Sequence, residues 1–375
     1  MKTPRYIQSA IKDSLKTRMV FIGGPRQVGK TTLSLQFLDK QSPKHPNYLN
    51  WDDVNDQKKI LKYEFPQEGL LVLDEIHKYK NWRSLIKGLF DKNKEEMNFI
   101  VTGSARLDHF RKGGDSLLGR YRYYRLHPFT ISELNLSTAE IKDLLQFGGF
   151  PEPFFAQSEK NHKLWLNERA YRIVNDDIRD LTTIKETSLI SLLIELLPSR
   201  VGSLLSLRSL AEDLSVSQPS INRWITELDN IYYSYRISPF GSTKVRAIKK
   251  MQKLYLWDWS EIENPGARFE NFVASHLLKY AHYLEDTEGD RCEIRYLRDS
   301  EGHEVDFVFI KNKKPLWAVE CKTGEGSLSK SIGYFRDKLD IPEYYQVHLG
   351  KKDFGSSKSG RVLPFSAFCK EMDLV

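Results

Sequence analysis

Four short stretches of this chain carry residues whose types and spacing could do chemistry. Gly24-Pro25-Arg26-Gln27-Val28-Gly29-Lys30-Thr31 fits the pattern GxxxxGK[ST] at every fixed position. An apolar run, Met19–Ile22, precedes it, and Thr32–Phe37 reads as a helix. A strand, a glycine-rich turn and a helix start form a cradle for phosphate, because backbone N–H groups and the helix dipole both face the anion. Lys30 is placed to reach the β/γ-phosphates and Thr31 to ligate Mg²⁺. The loop from Gly24 through Pro25, Arg26, Gln27, Val28, Gly29, Lys30, Thr31 and Thr32 is therefore the candidate nucleotide site, with ATP and Mg²⁺ as cofactors. The second stretch, Leu70–Glu75, runs four apolar residues into Asp74 and Glu75. After a phosphate loop, Asp74 would hold Mg²⁺ and Glu75 would polarise the attacking water. A third strand, NFIVTGS, ends at Thr102-Gly103-Ser104; Ser104, or Thr102, would lie beside the γ-phosphate.

The remaining stretch lies near the C-terminus, GHEVDFVFIKNKKPLWAVECKTG. It reads as two strands around a basic loop. With Lys311–Pro315 as the loop, Ile310 faces Leu316. Asp306 then lies opposite Glu320, and Glu304 opposite Lys322. Side chains alternate along a strand, so Asp306, Glu320 and Lys322 share one face. Like charges directly opposite are destabilising, so the pair of carboxylates implies a cation or a proton between them. Mg²⁺, a hard ion that prefers carboxylate oxygens, suits Asp306 and Glu320 as ligands. Lys322 either serves a water and a phosphate or neutralises Glu304. Glu270, near the start of the helical stretch ARFENFVASHLLKYAHYL, is placed to support the site.

These stretches need elements to position them, and composition bounds what those are. The chain has 375 residues, 40% hydrophobic and 29% charged, with a net charge of +7 and a pI near 9.0. Length predicts two to four domains. The basic balance permits a nucleic-acid partner. No apolar run approaches the roughly 20 residues that span a bilayer, and the N-terminal stretch has no signal-type apolar core. The three cysteines are scattered, which argues against a disulfide framework and for a cytoplasmic setting without a membrane partner.

Between the ends the chain reads as helices and then a DNA-type module. Ile131 to about Ser203 has helical spacing, with Leu189, Leu192, Leu193 and Leu196 as an expected core stripe. In SLRSLAEDLSVSQPSINRWITELDN, Leu207–Leu214 is a short helix, Ser215–Ser217 a turn, and Pro219 suits the first turn of a second helix. Ile221, Trp224, Ile225 and Leu228 form its buried face. Its other face presents Ser220, Asn222, Arg223 and Thr226, which either read DNA or pack. YYSYRISPF follows as an expected strand pair, completing a winged helix. Ser242–Lys253 carries Lys244, Arg246, Lys249, Lys250 and Lys253 and no acid, the pattern of either a solvated loop or a wing on phosphates.

GGPRQVGKTTL, VLDEIHK, VTGSARL and SLLGRYRYYRLHPFTISEL, with GGFPEP (Gly148–Pro153) and ARFENFVASHL (Ala267–Leu277), resemble a prokaryotic AAA+ ATPase family over nearly the whole chain. That family, the AAA_14/DUF4143 type, joins the ATPase module to a C-terminal domain catalogued as of unknown function. The resemblance implies that Asp74 and Glu75 form the Walker B pair, that Arg120 is a trans-acting arginine finger or else a surface arginine, and that the chain forms a homo-oligomeric ring. His77 reads as structural or partner-facing. Ser104 departs from the asparagine that many AAA+ proteins carry there. Asp306, Glu320 and Lys322 resemble the PD-(D/E)xK nuclease core, which implies metal-assisted phosphodiester hydrolysis with Glu320 and Lys322 catalytic.

The expected fold class is α/β: a P-loop AAA+ parallel sheet (1–130), a helical lid (131–203), a winged helix (204–256) and a restriction-endonuclease-like α/β domain (257–375). The expected function is ATP hydrolysis coupled to action on DNA, branched or single-stranded forms included. The alternative is an ATP-dependent switch whose C-terminal domain is an inactive protein- or DNA-binding scaffold.

Overall fold

The computed structural model describes residues 4–103, 107, 117–136, 140–178, 186–241 and 252–375. The chain divides into two compact units, Met1–His127 and Pro128–Val375.

The first unit is built on a five-stranded sheet of β1 (Met19–Gly23), β2 (Tyr48–Asn50), β3 (Gly69–Asp74), β4 (Met97–Thr102) and β5 (Tyr121–Arg125). Their spatial order is β2-β3-β4-β1-β5, and every pairing is parallel. Parallel sheets covered on both faces need strands that are apolar throughout. β1 is buried along its whole length, and β3 over its last four residues. Helices at Lys30–Leu35 and Trp82–Asn93 flank the sheet. Phe21, Leu73, Phe99, Val101, Trp82 and Ile86 share one core cluster. The C-terminal ends of β1, β3 and β4 lie side by side, at the rim where open α/β sheets bind ligands.

The second unit begins with short helices. Glu159–Arg172 runs into a wider helical turn at Ile173–Ile178, and Thr187–Leu196 follows. The buried face of Thr187–Leu196 is Ile190, Leu193 and Ile194, with Leu197 just beyond, whereas Leu192 is exposed. Of the expected leucine stripe Leu193 is fully buried, and Ile190 and Ile194 take the rest of the core face in place of Leu189, Leu192 and Leu196.

A mixed eight-stranded sheet dominates the rest. It comprises β6 (Ser234–Pro239), β7 (Lys253–Leu256), β8 (Cys292–Arg298), β9 (Glu304–Lys311), β10 (Lys314–Cys321), β11 (Glu343–His348), β12 (Phe354–Ser356) and β13 (Gly360–Pro364). Their order is β12-β13-β11-β10-β9-β8-β6-β7. The 23-residue helix Pro265–Thr287 buries Phe269, Phe272, Val273 and Leu277 together with the polar Asn271, Ser275, His276 and Lys279. Asn264 caps it, its side chain accepting from the Ala267 N–H at 3.0 Å.

Two expectations change here. YYSYRISPF is one strand, β6, and its antiparallel partner is β7, beyond residues 240–252. β6 also pairs in parallel with β8, so the boundary expected at 256/257 falls inside a continuous sheet. The β9–β10 loop is a two-residue turn at Asn312-Lys313, both with positive φ, as tight hairpins require. A bulge between Pro315 and Trp317 then restores the register. Ala318 pairs with Val308 and Val319 with Phe307. That register carries Glu320 to the level of Asp306, as the sequence predicts.

Candidate functional site

The nucleotide-type site is assembled at the rim of the first sheet. Gly24 has φ +136, and a Cβ there would lie 2.4 Å from the Leu126 carbonyl oxygen, so only glycine fits. Gln27 and Gly29 also have positive φ, which curls the loop. Val28 is buried; Thr31 and Thr32, on the first turn of the helix, are exposed. Lys30 is buried and donates to the carbonyl oxygens of Gly24 (3.0 Å) and Pro25 (2.7 Å). Its ammonium therefore spans the loop it belongs to. Behind the loop, the buried Arg5 donates to the Val28 carbonyl at 2.9 Å. Arg26 is half-buried beside Pro25.

Asp74 terminates β3, is 2% exposed, and is surrounded by hydroxyls. Its Oδ2 accepts from Thr31 Oγ1 at 2.6 Å and from the Tyr48 hydroxyl at 2.6 Å; its Oδ1 accepts from Thr102. Burial, then the charge of Asp74, push the Tyr48 phenol well above its usual range, so it stays a donor. A carboxylate, a hydroxyl from the loop and neighbouring strand ends are the hard-oxygen set that suits Mg²⁺. Thr102, one of the two residues expected beside the phosphate, is committed to Asp74; Ser104 lies outside the described residues.

Glu75 follows Asp74 in the left-handed region, φ 54, uncommon for a residue with a side chain. This turn points it away from the strand direction. Burial raises its carboxyl pKa, against the pull of Lys30 and Lys78. Lys78 Nζ lies 3.6 Å from Oε2, and His77 Nε2 3.7 Å from the same atom. His77 is buried against Gly103, in keeping with a structural role. Arg120 pairs with Asp91 through two contacts, at 2.7 and 3.2 Å, on the surface.

The second candidate site lies in the second unit, where β7, β9, β10 and the long helix meet. Asp306 is 8% exposed and Glu320 5%. Asp306 Oδ2 accepts from the Cys321 N–H at 2.8 Å, which fixes its rotamer. Lys322 pairs with Glu320 Oε1 at 2.7 Å. Glu320 Oε2 is buried and has no hydrogen-bond partner among the described residues. Burial and then the charge of Asp306 push the Glu320 carboxyl up to about 8, and burial also raises Asp306. Glu270 is pushed to about 7, again by burial first and Asp306 next. A buried carboxylate oxygen without a donor is costly unless something binds it, so Asp306 and Glu320 fit a divalent cation.

Sequence reasoning missed the residue at the centre of this site. Lys253, counted with the basic run of 242–253, is 1% exposed and turned inward. Its Nζ lies 2.5 Å from Glu304 Oε1, 3.2 Å from Glu270 Oε1 and 3.7 Å from Asp306 Oδ1. Burial alone would lower its pKa, but Glu270, Asp306 and Glu304 together hold it above the ordinary value. Tyr255, two residues on and on the same face of β7, donates to Glu270 Oε1 at 2.7 Å. Glu304 is held by Lys253 and by Arg298 (2.7 Å) rather than by Lys322. The signal was available: an odd-numbered alternation, Lys253, Tyr255, inside an otherwise apolar strand.

The helix-turn-helix spacing is present as helices Leu207–Asp213 and Gln218–Asn230. Ser217 caps the second helix, and Ile221, Trp224, Ile225 and Leu228 are buried. Asn222 and Arg223 are exposed. Arg236 from β6 reaches over this face to Thr226 Oγ1 (3.1 Å) and Asn222 Oδ1 (3.4 Å) and pairs with Asp229 at 2.7 Å. Lys244, Arg246, Lys249 and Lys250 lie outside the described residues.

Residues 16–135 match the family model described as an AAA domain. Residues 138–260 and 265–368 match two models each described as a domain of unknown function, DUF8612 and DUF4143. These matches support an AAA-type ATPase family. With the parallel sheet and its glycine loop, they mark a P-loop AAA+ fold in an α/β chain. The uncharacterized protein Rv2008c of Mycobacterium tuberculosis is 23% identical over 92% of this chain and 80% of its own length. The uncharacterized protein MJ1544 of Methanocaldococcus jannaschii is 24% identical over 89% of this chain and 82% of its own. A solved structure, the Aeropyrum pernix ORC1 protein in complex with DNA, overlaps 72% of this chain and 91% of its own at 16% identity, with a TM-score of 0.32. That overlap is too loose to carry an argument. Among the described residues no helix is long and apolar enough to cross a membrane.

Proposed function

We propose that this chain is an ATP-hydrolysing AAA-type protein that acts on DNA, with Asp306, Glu320 and Lys322 as a nuclease-type centre. The observation that carries the ATPase half is Asp74, held by the loop hydroxyl of Thr31 at the end of a buried parallel strand. Lys30 exchanges the carbonyls of Gly24 and Pro25 for phosphate oxygens when nucleotide enters. Backbone N–H groups from Gly24 to Thr31 take the remaining phosphate oxygens, with Arg26 and Thr32 at the rim. Mg²⁺, held through Thr31 and Asp74, would neutralise charge on the phosphates. Glu75 orients and polarises the attacking water, and its burial keeps its proton affinity raised for that task. Arg120 is the candidate to leave Asp91 and complete a neighbour's site in a ring. Ser104 is the candidate contact to the γ-phosphate.

For DNA, the helix Gln218–Asn230 offers Asn222 and Arg223, and the basic run supplies Lys244, Arg246, Lys249 and Lys250 for phosphates. A panel of duplex, branched and single-stranded DNA, tested for phosphate release and for cleavage with Mg²⁺ or Mn²⁺, checks the reading. DNA is expected to bind and to change ATP turnover; if no form does either, the DNA half is wrong. The buried Lys253 ammonium favours a second reading, in which the C-terminal unit binds without cutting and ATP sets its state. Cleavage that disappears in Asp306→Ala rejects that alternative.

A further inference from the structure

Lys253 occupies ground that two carboxylates alone would leave to a metal ion. We infer that Lys253 is a built-in cation of the Asp306/Glu320 centre, competing with divalent metal for Asp306 and setting how tightly the site holds it. This rests on the proposed nuclease-type centre and adds its regulation.

The argument is geometric. Lys253 enters from β7, the edge strand, and pairs in register with Ile237 of β6. Its ammonium reaches carboxylates on two other elements, Glu304 and Asp306 on β9 and Glu270 on the long helix. The aliphatic stem is enclosed, and the ammonium lies 5.6 Å from the Tyr296 ring centre, a cation–π distance that strengthens its hold. Gly202 packs against Glu270, where a Cβ would lie 2.9 Å from Oε2, so Glu270 is confined as well. The opposite side of the centre is unbalanced. Glu320 Oε1 has Lys322, which is half exposed, while Oε2 has no partner among the described residues. The site thus holds one cation locked on the Asp306 side and one unmet oxygen on the Glu320 side. A divalent ion bridging both must meet a fixed positive charge near Asp306, which weakens its binding. Lys253 is a positioning residue here: it acts on the metal through the carboxylates.

The test is Mn²⁺ binding to the full chain, read by the electron paramagnetic resonance of free Mn²⁺, in an Asp74→Asn background that removes the acidic ligand of the nucleotide site. Only the part lost in Asp306→Asn is counted, since Asp299, Glu301 and His303 also cluster closely enough to hold an ion. Lys253→Met and Lys253→Gln are each expected to tighten Mn²⁺ by at least about tenfold, since a unit charge within contact distance is removed. Adding Asp306→Asn is expected to erase that gain. Unchanged or weaker binding in both substitutions, with Asp306-dependent Mn²⁺ still held by the parent, overturns the inference and leaves the nuclease-type centre standing. No Asp306-dependent Mn²⁺ in the parent or in either substitution overturns both. If neither substitution folds, the parent decides: weak binding, in roughly the millimolar range expected of a site with few charged ligands, supports the inference. Tight binding lost in Asp306→Asn overturns it.

Discussion

The two candidate sites both place a buried aspartate at a strand, but they neutralise it by different means. Asp74 is ringed by three hydroxyls, from Thr31, Tyr48 and Thr102. Asp306 has one backbone N–H and, across 3.7 Å, the Lys253 ammonium. Hydroxyl donors carry no net charge and can rotate, so they hold the carboxylate and yield to a cation. An ammonium anchored in a strand does not yield without leaving its partners. The first site is thus prepared for an ion that comes and goes with nucleotide. The second meets Asp306 with a fixed cation at rest and leaves Glu320 Oε2 unmet.

The sharpest way to break that comparison is Lys30→Ala. Its ammonium donates to two carbonyls of the phosphate loop and is the charge best placed to meet an entering phosphate. ATP turnover, measured as phosphate release, is expected to fall about a hundredfold or more, the scale of losing a preorganised charge contact to a phosphoryl group. Metal binding at the second site should not change. Turnover that survives marks another ATPase in the preparation or a different nucleotide site.

Glu75→Gln ranks next. The substitution keeps size and removes the proton acceptor, so kcat is expected to fall by about 10²–10⁴ while ATP affinity stays within a few-fold. If binding collapses together with kcat, Glu75 is supporting the loop through Lys78 rather than serving water.

The second site predicts a strong pH signature. Glu320 titrates near 8 and Glu270 near 7 in the folded chain, against a reference of 4.5. Between those values the folded state holds protons that the unfolded state releases, so stability falls as pH rises from about 5 to 8. Urea midpoints of the second unit, taken in EDTA, are expected to decline over that window. Glu320→Gln should flatten the decline, and saturating Mn²⁺ at pH 8 should restore part of it. A midpoint that climbs with pH in the parent removes the buried-carboxylate account of the site.

How much of this was legible in the sequence follows from how local each signal is. The placing of the phosphate loop between strand and helix, and of Asp74 and Glu75 at a strand end, was readable because local pattern sets it, whereas the partners of Asp74 at Tyr48 and Thr102 lie far away in sequence. The β9–β10 register was readable because a hairpin is set by its own loop, and even a misjudged loop was corrected by a bulge that kept Asp306 level with Glu320. Tyr48 and Arg5 were not readable, since each acts on a residue far away in sequence and its type fits a surface equally well; Lys253 left only its alternation with Tyr255 in an otherwise apolar strand. β6 was misread as two strands because its partner lies beyond residues 240–252. The leucine stripe kept Leu193 but lost its other members because leucine and isoleucine are equivalent to a periodicity argument, and only packing decides which side is inward.

The smallest expected effect tests the hydroxyl half of the comparison. Tyr48 and Thr31 both donate to Asp74 Oδ2 at 2.6 Å. Thr31 is needed elsewhere once Mg²⁺ is present, whereas Tyr48, on the adjacent strand, has no such duty and keeps Asp74 in its rotamer. Tyr48→Phe deletes one hydrogen bond to a charged acceptor, worth about 1.5–3 kcal/mol in a buried setting, and leaves the ring packed. Unit stability should fall by part of that, because Thr102 still holds the other oxygen. In turnover, the Mg²⁺ concentration giving half-maximal rate is expected to rise a few-fold with kcat nearly intact, since the carboxylate is less well aimed but the reacting groups are unchanged. A kcat loss as large as that of Glu75→Gln would mean that Tyr48 touches the reaction itself, and the division between holding hydroxyls and reacting groups would have to be redrawn.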